Sequence, residues 1–97
     1  THSFTLFPYT TLFRSIRGYT KLNAKAFEKI QPGGILFTFS CSQAVNKDQF
    51  RMAVFTAAAM SGRSVRILHQ LHQPADHPIN IYHPEGEYLK GLVLYVE

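Results

Sequence analysis

The stretch GGILFTFSCSQ, residues 33–43, decides how this chain is read. Pro32-Gly33-Gly34 is a stop and a turn, because Pro lacks an N–H and Gly tolerates a left-handed backbone. Ile35–Phe39 follows at once and shows no regular polar alternation. Such a run suits a strand covered on both faces, as in a parallel α/β sheet. The strand ends on Ser40-Cys41-Ser42, and Cys41 is the only cysteine in 97 residues. A lone thiol at a strand end has two readings: a small apolar filler, or a nucleophile in its thiolate form. On position alone the filler is the commoner case, since buried free Cys is frequent.

Working outward, Leu22, Ala26, Phe27 and Ile30 recur at helical spacing and predict a short amphipathic helix over about 20–30. Downstream, Asn46 is a good N-cap and Gln49 stands three residues later, close to a capping box. Phe50, Val54, Ala57 and Ala58 share one face, and Gly62 suits the position just past a helix end. A helix over 47–61 follows. Ser64–His69 reads as a strand, with Val65 and Ile67 alternating against Arg66. Gln70–Glu87 holds three prolines, three histidines and a Pro-Glu-Gly turn, and is read mostly as a long loop. Gly91–Val96 is a terminal strand. The order helix, strand, helix, strand, loop, strand places the chain in the α/β class. No repeat, low-complexity tract or interdomain linker interrupts it.

Composition sets the outer limits. The length allows one domain with a small core. Ten Lys and Arg against six Asp and Glu leave a net charge of +4. The basic residues are scattered, so an anionic partner is permitted and not demanded. No stretch approaches the roughly 20 apolar residues of a membrane span, and the start lacks the pattern of a signal peptide. A single cysteine suits a reducing compartment, and cytoplasmic location is expected.

The first fifteen residues read differently from the rest. TLFPYTTLFRS, residues 5–15, matches codon for codon the translation of a common sequencing-library adapter. Residues 1–15 are therefore expected to be an artefact of adapter origin, and the native sequence is expected to start near Ile16.

Few other residues suggest chemistry. His69 and His72, with His77, His83 and Cys41, could be weighed as a zinc site. An i, i+3 pair on a strand faces opposite sides, however, and the spacing matches no closed zinc motif. No metal is expected. Pro74-Ala75-Asp76-His77-Pro78 has a stiff backbone carrying an acid beside a histidine, which is either a catalytic pair or a turn capped by Asp. Gly33-Gly34 alone is no phosphate cradle.

Three segments in order carry a resemblance: GYTKLNAKAFEKIQPGGILFTFSCS (18–42), QPADHP (73–78) and HPEGEYLKGLVLYV (83–96). Together they resemble the C-terminal end of the class I S-adenosylmethionine-dependent methyltransferases of large-subunit rRNA, in particular the branch making 5-methylcytosine in 23S rRNA. The resemblance covers residues 16–97. It implies the C-terminal part of a Rossmann-like sheet: Ile35–Phe39 as strand five, Ser64–His69 as strand six, and Gly91–Val96 as strand seven, antiparallel between the other two. It implies that Cys41 is the catalytic nucleophile, with Ser40, Ser42, Asp76 and His77 around the target base. It also implies S-adenosylmethionine as cofactor, large-subunit rRNA as partner and no membrane.

The chemistry explains the thiol. Carbon 5 of cytosine is a poor nucleophile until a thiolate adds at carbon 6 and makes it enamine-like. Such a base must be exposed or flipped out. The family's glycine-rich first-strand motif, its acidic residue after strand two, its Asp-Pro-Pro motif and its RNA-binding PUA-type domain are not found in this sequence. The isolated chain is thus expected to be inactive. Competing readings are a related methyltransferase that needs no cysteine, a non-catalytic zinc- or RNA-binding module, and a piece without function of its own.

Overall fold

A computed structural model describes residues 8–83 and 87–97. The Pro-Glu-Gly turn at 84–86 and the first seven residues of the adapter-like segment lie outside the described residues. Five elements follow in order: helix α1 (Pro8–Lys29), strand β1 (Gly34–Ser40), helix α2 (Lys47–Ser61), strand β2 (Val65–His72) and strand β3 (Lys90–Val96).

The sheet has the order β1-β3-β2, with β3 antiparallel to both neighbours. This is the arrangement expected for the last strand, inserted between the other two. β1 and β2 run the same way without touching, as a right-handed crossover through α2 would leave them. The neighbouring pairs are all antiparallel, so the parallel relation inferred from the apolar run is one step removed. β2 is longer than its sequence suggested, reaching His72. A register shift between Ile67 and His69 marks a bulge that re-aims the strand.

α1 is also longer than the periodicity around 20–30 indicates. Pro8 occupies its first position, where the missing N–H costs nothing. Leu12 and Ile16 pack against the core from this extended part. α2 matches the expected 47–61. The Asn46 side chain accepts from the Gln49 N–H at 2.8 Å, while Gln49 Oε1 accepts from the Asn46 N–H at 2.9 Å. Gly62 ends the helix with φ of 71°, a conformation that favours glycine.

Both helices lie on one face of the sheet. Phe27 of α1, Phe50, Val54 and Ala57 of α2, and Leu92, Leu94 and Val96 of β3 form the buried core. Arg63 fastens it at one end: its guanidinium donates to the carbonyls of Phe27 and Ile30, which α1 leaves without helical partners, and to that of Glu97. Alternation along β1 sends Leu36, Thr38 and Ser40 towards the helices and Ile35, Phe37 and Phe39 to the other face. There the three large side chains are exposed, Phe37 by 61%. The expectation that this strand is covered on both faces therefore holds on one face only among the described residues.

Candidate functional site

The register of β1 on β3 pairs Ser40 with Lys90, and that of β2 on β3 pairs His72 with Lys90. Ser40, Lys90 and His72 thus line up across one edge of the sheet. The loop after β1 and the loop after β2 leave from that same edge, where the two co-directional strands present their carboxyl ends. His69 pairs with Val93 and His72 with Lys90, which places the two histidines on opposite faces. Among the described residues no three His, Cys, Asp or Glu converge on a point where a metal ion could sit.

The loop after β1 is held by small polar contacts. Ser40 is buried, and its hydroxyl donates to the Tyr19 hydroxyl at 2.7 Å. The same oxygen accepts from the Ser42 N–H at 3.2 Å. Ser42 Oγ accepts in turn from the Ala44 N–H at 3.2 Å. Val45, 1% exposed, anchors the far end of the loop in the core. Tyr19 is itself braced by Phe50, edge to face, with ring centroids 5.5 Å apart. Between the two engaged serines, Cys41 is exposed as a free thiol. It is not packed into a strand-end gap, as the filler reading requires. Ser40 lies beneath the surface and acts as a strut for the loop, while Ser42 is half-buried.

Nothing in the sequence singles Lys90 out from the other scattered basic residues. It is buried at 7% exposure, and its Nζ donates to the Ser42 carbonyl at 2.8 Å. Burial lowers its pKa from the ordinary lysine value, and the charge of the Cys41 thiolate opposes that shift. A lone lysine at a strand start gives no signal in sequence, since only the β1–β3 register reveals what it faces.

Asp76 and His77 are exposed on the loop after β2. Their loop is a tight turn, closed by the His77 N–H to the Pro74 carbonyl at 3.0 Å. Gln73 ties it to the sheet. Its amide donates to the His77 carbonyl at 2.9 Å, and its carbonyl accepts from the Tyr88 and Leu89 N–H groups just before β3. Asp76 and His77 therefore flank the same sheet edge as Cys41, with no direct contact to it. Between the two loops a cavity of about 300 Å³ is lined by residues including Asn46, Lys47, His72, Glu87 and Lys90. Lys90 borders the cavity and the Cys41 loop together.

This arrangement has counterparts among known proteins. The chain is 46% identical over 86 residues to ribosomal RNA large subunit methyltransferase I of Pseudoalteromonas atlantica, covering 89% of this chain and 22% of the relative. It is 48% identical over 80 residues to the protein of the same name from Shewanella frigidimarina, covering 82% and 20%. The chain is homologous to part of these methyltransferases. It spans about a fifth of the length of these relatives. The 86 matched residues outnumber those that follow Ser15, so that match also reaches into residues 1–15. No protein-family model matches the chain. Among solved structures, a Streptococcus mutans protein assigned as a SAM-dependent methyltransferase superposes with a TM-score of 0.73 at 18% identity, covering 82% of this chain and 21% of its own. A second, assigned as a methyltransferase complexed with SAH, gives 0.72 at 18%, with coverage of 82% and 20%. At that identity the likeness speaks for the fold, which is that of part of a methyltransferase sheet.

Proposed function

We propose that residues 16–97 are the C-terminal part of the catalytic domain of an S-adenosylmethionine-dependent methyltransferase forming 5-methylcytosine in large-subunit rRNA, with Cys41 as nucleophile. The observation that carries this is the exposed thiol at the carboxyl end of β1, where open α/β sheets bind their ligands. The Cys41 thiolate adds to carbon 6 of a cytosine. The displaced π electrons make carbon 5 nucleophilic. S-adenosylmethionine, when bound, supplies the methyl group that carbon 5 takes. A base then removes the carbon 5 proton, and the returning electron pair expels the thiolate. Serine would serve poorly in that position, because its hydroxyl is scarcely ionised near neutral pH.

Residues 16–97 alone do not make a cofactor cradle. Among the described residues no glycine-rich turn leads from one of their strands into a helix, the arrangement by which such sheets bind nucleotides. The cofactor would be held by residues of the parent domain outside this stretch. The same parent part would cover the apolar face of Ile35, Phe37 and Phe39. Asp76 and His77 would border the base, Ser42 would shape its entrance, and large-subunit rRNA would be the partner. We also infer that residues 1–15 derive from the adapter. Residues 8–15 form the first turns of α1, which is separate from their origin. A coding sequence running unbroken through codons 5–15 of the source gene would refute that origin.

The deciding experiment grafts residues 16–97 in place of the corresponding part of the Pseudoalteromonas atlantica relative. With rRNA containing 5-fluorocytosine, the graft is expected to form a covalent adduct that survives denaturing electrophoresis, and Cys41→Ser to abolish it. An adduct of undiminished yield in Cys41→Ser would remove Cys41 from the nucleophile role.

A further inference from the structure

A buried cation needs a reason. Lys90 is 7% exposed, and among the described residues no carboxylate lies within ion-pair distance of it. Burying an ammonium without a counter-charge costs free energy, and an apolar side chain of similar length would fill the same space without that penalty. Its one hydrogen bond goes to the Ser42 carbonyl, one residue past the thiol, although an ammonium carries three donors. Its register partner is Ser40, one residue before the thiol. Lys90 thus meets the loop on both sides of Cys41, through its backbone register at Ser40 and through its ammonium at Ser42. The opposing effect of the Cys41 thiolate on its proton affinity is consistent with that closeness.

We propose that Lys90 is a positioning residue of the Cys41 site: it pins the Ser40–Ser42 loop through the Ser42 carbonyl and holds a positive potential over the exposed thiol, which favours the approach of an anion. This rests on the reading of Cys41 as the nucleophile towards RNA. The anion is then a phosphodiester beside the target base, brought to the thiol by charge while the base is read elsewhere. Asp48 and Glu87 line the adjoining cavity together with Lys47, and the net potential at the thiol is read by a pair of reagents of opposite charge.

The test uses the chain itself and two thiol reagents of opposite charge: sulfonatoethyl and trimethylammonioethyl methanethiosulfonate. Cys41 is the only thiol, so both report on it alone. The ratio of the anionic to the cationic rate is expected to be at least about threefold higher for the folded chain than for the same chain in concentrated urea. Lys90→Met is expected to bring the ratio down to the urea value, and Lys90→Arg to keep most of it. A purely structural role would change both rates together and leave the ratio alone. Equal ratios in the folded and urea-treated chain overturn the proposal, even if Lys90→Met fails to fold. An unchanged ratio in folded Lys90→Met does so as well. Failure of the nucleophile reading would appear separately, as a 5-fluorocytosine adduct that persists in Cys41→Ser.

Discussion

Tyr19→Phe removes one oxygen and tests how the core holds the Cys41 loop. The Tyr19 hydroxyl accepts from Ser40, which is 2% exposed, so the substitution leaves a buried donor without its acceptor. A stranded buried donor costs about 1–3 kcal/mol, more than the roughly 1 kcal/mol an average hydrogen bond contributes net. The ring stays and keeps its edge contact with Phe50, so packing terms should change little. A chain of this size has about 5–15 kcal/mol of stability in all, and the loss would be a visible share. With a urea dependence of about 2 kcal/mol per molar, the unfolding midpoint should fall by about 0.5–1.5 M at unchanged slope. Adding Ser40→Ala deletes the stranded hydroxyl. The double variant should therefore lose less than the two single losses added together, by about 1 kcal/mol. Strict additivity, or a midpoint for Tyr19→Phe equal to that of the parent, would refute this account of the strut.

Four further outcomes are expected. Gly62→Ala should cost about 1 kcal/mol, since a Cβ there meets open space and only the left-handed backbone resists it; a melting temperature lower by about 4–8 °C is the measure. Arg63→Met should cost about 2–3 kcal/mol by unfastening the carbonyls at the end of α1, with faster amide exchange in residues 26–30 as the local sign. For Lys90 the folded pKa is lowered, so as pH rises towards the ordinary lysine range the folded chain releases this proton before the unfolded chain does, and stability rises. The parent should gain stability relative to Lys90→Met as pH rises towards the ordinary lysine range, and equal gains in urea titrations would contradict the assignment. Finally, calorimetry should detect no S-adenosylmethionine binding by the isolated chain, and micromolar affinity would contradict the reading of it as part of a larger domain.

Where residues act through their neighbours in the chain, the sequence was legible. Asn46, Gln49 and Gly62 marked α2 at both ends because capping is a matter of three or four consecutive residues. Apolar runs located β1 and β3, the alternation of Val65 and Ile67 with Arg66 located β2, and the family resemblance supplied their order. Other features depend on residues far apart and left no local trace. The turns of α1 before Ile16 lie in the adapter-like segment, where the sequence offered no reading of structure. Gln70-Leu71-His72 has no strand-like pattern and is held in β2 by Leu92, Gly91 and Lys90. Arg63 and Lys90 read as ordinary surface charges. Each is assigned its partners by elements more than thirty residues away.

The strand at the centre of the sheet follows both its partners in chain order. Within this chain β1 and β2 share no ladder until β3 is made, because neither touches the other. Nascent chains halted before Lys90 should thus show helical signal and no protected strand amides, and a stop codon at that point should yield a product cleared by proteases rather than a shortened fold. Within this chain the sheet closes from its middle.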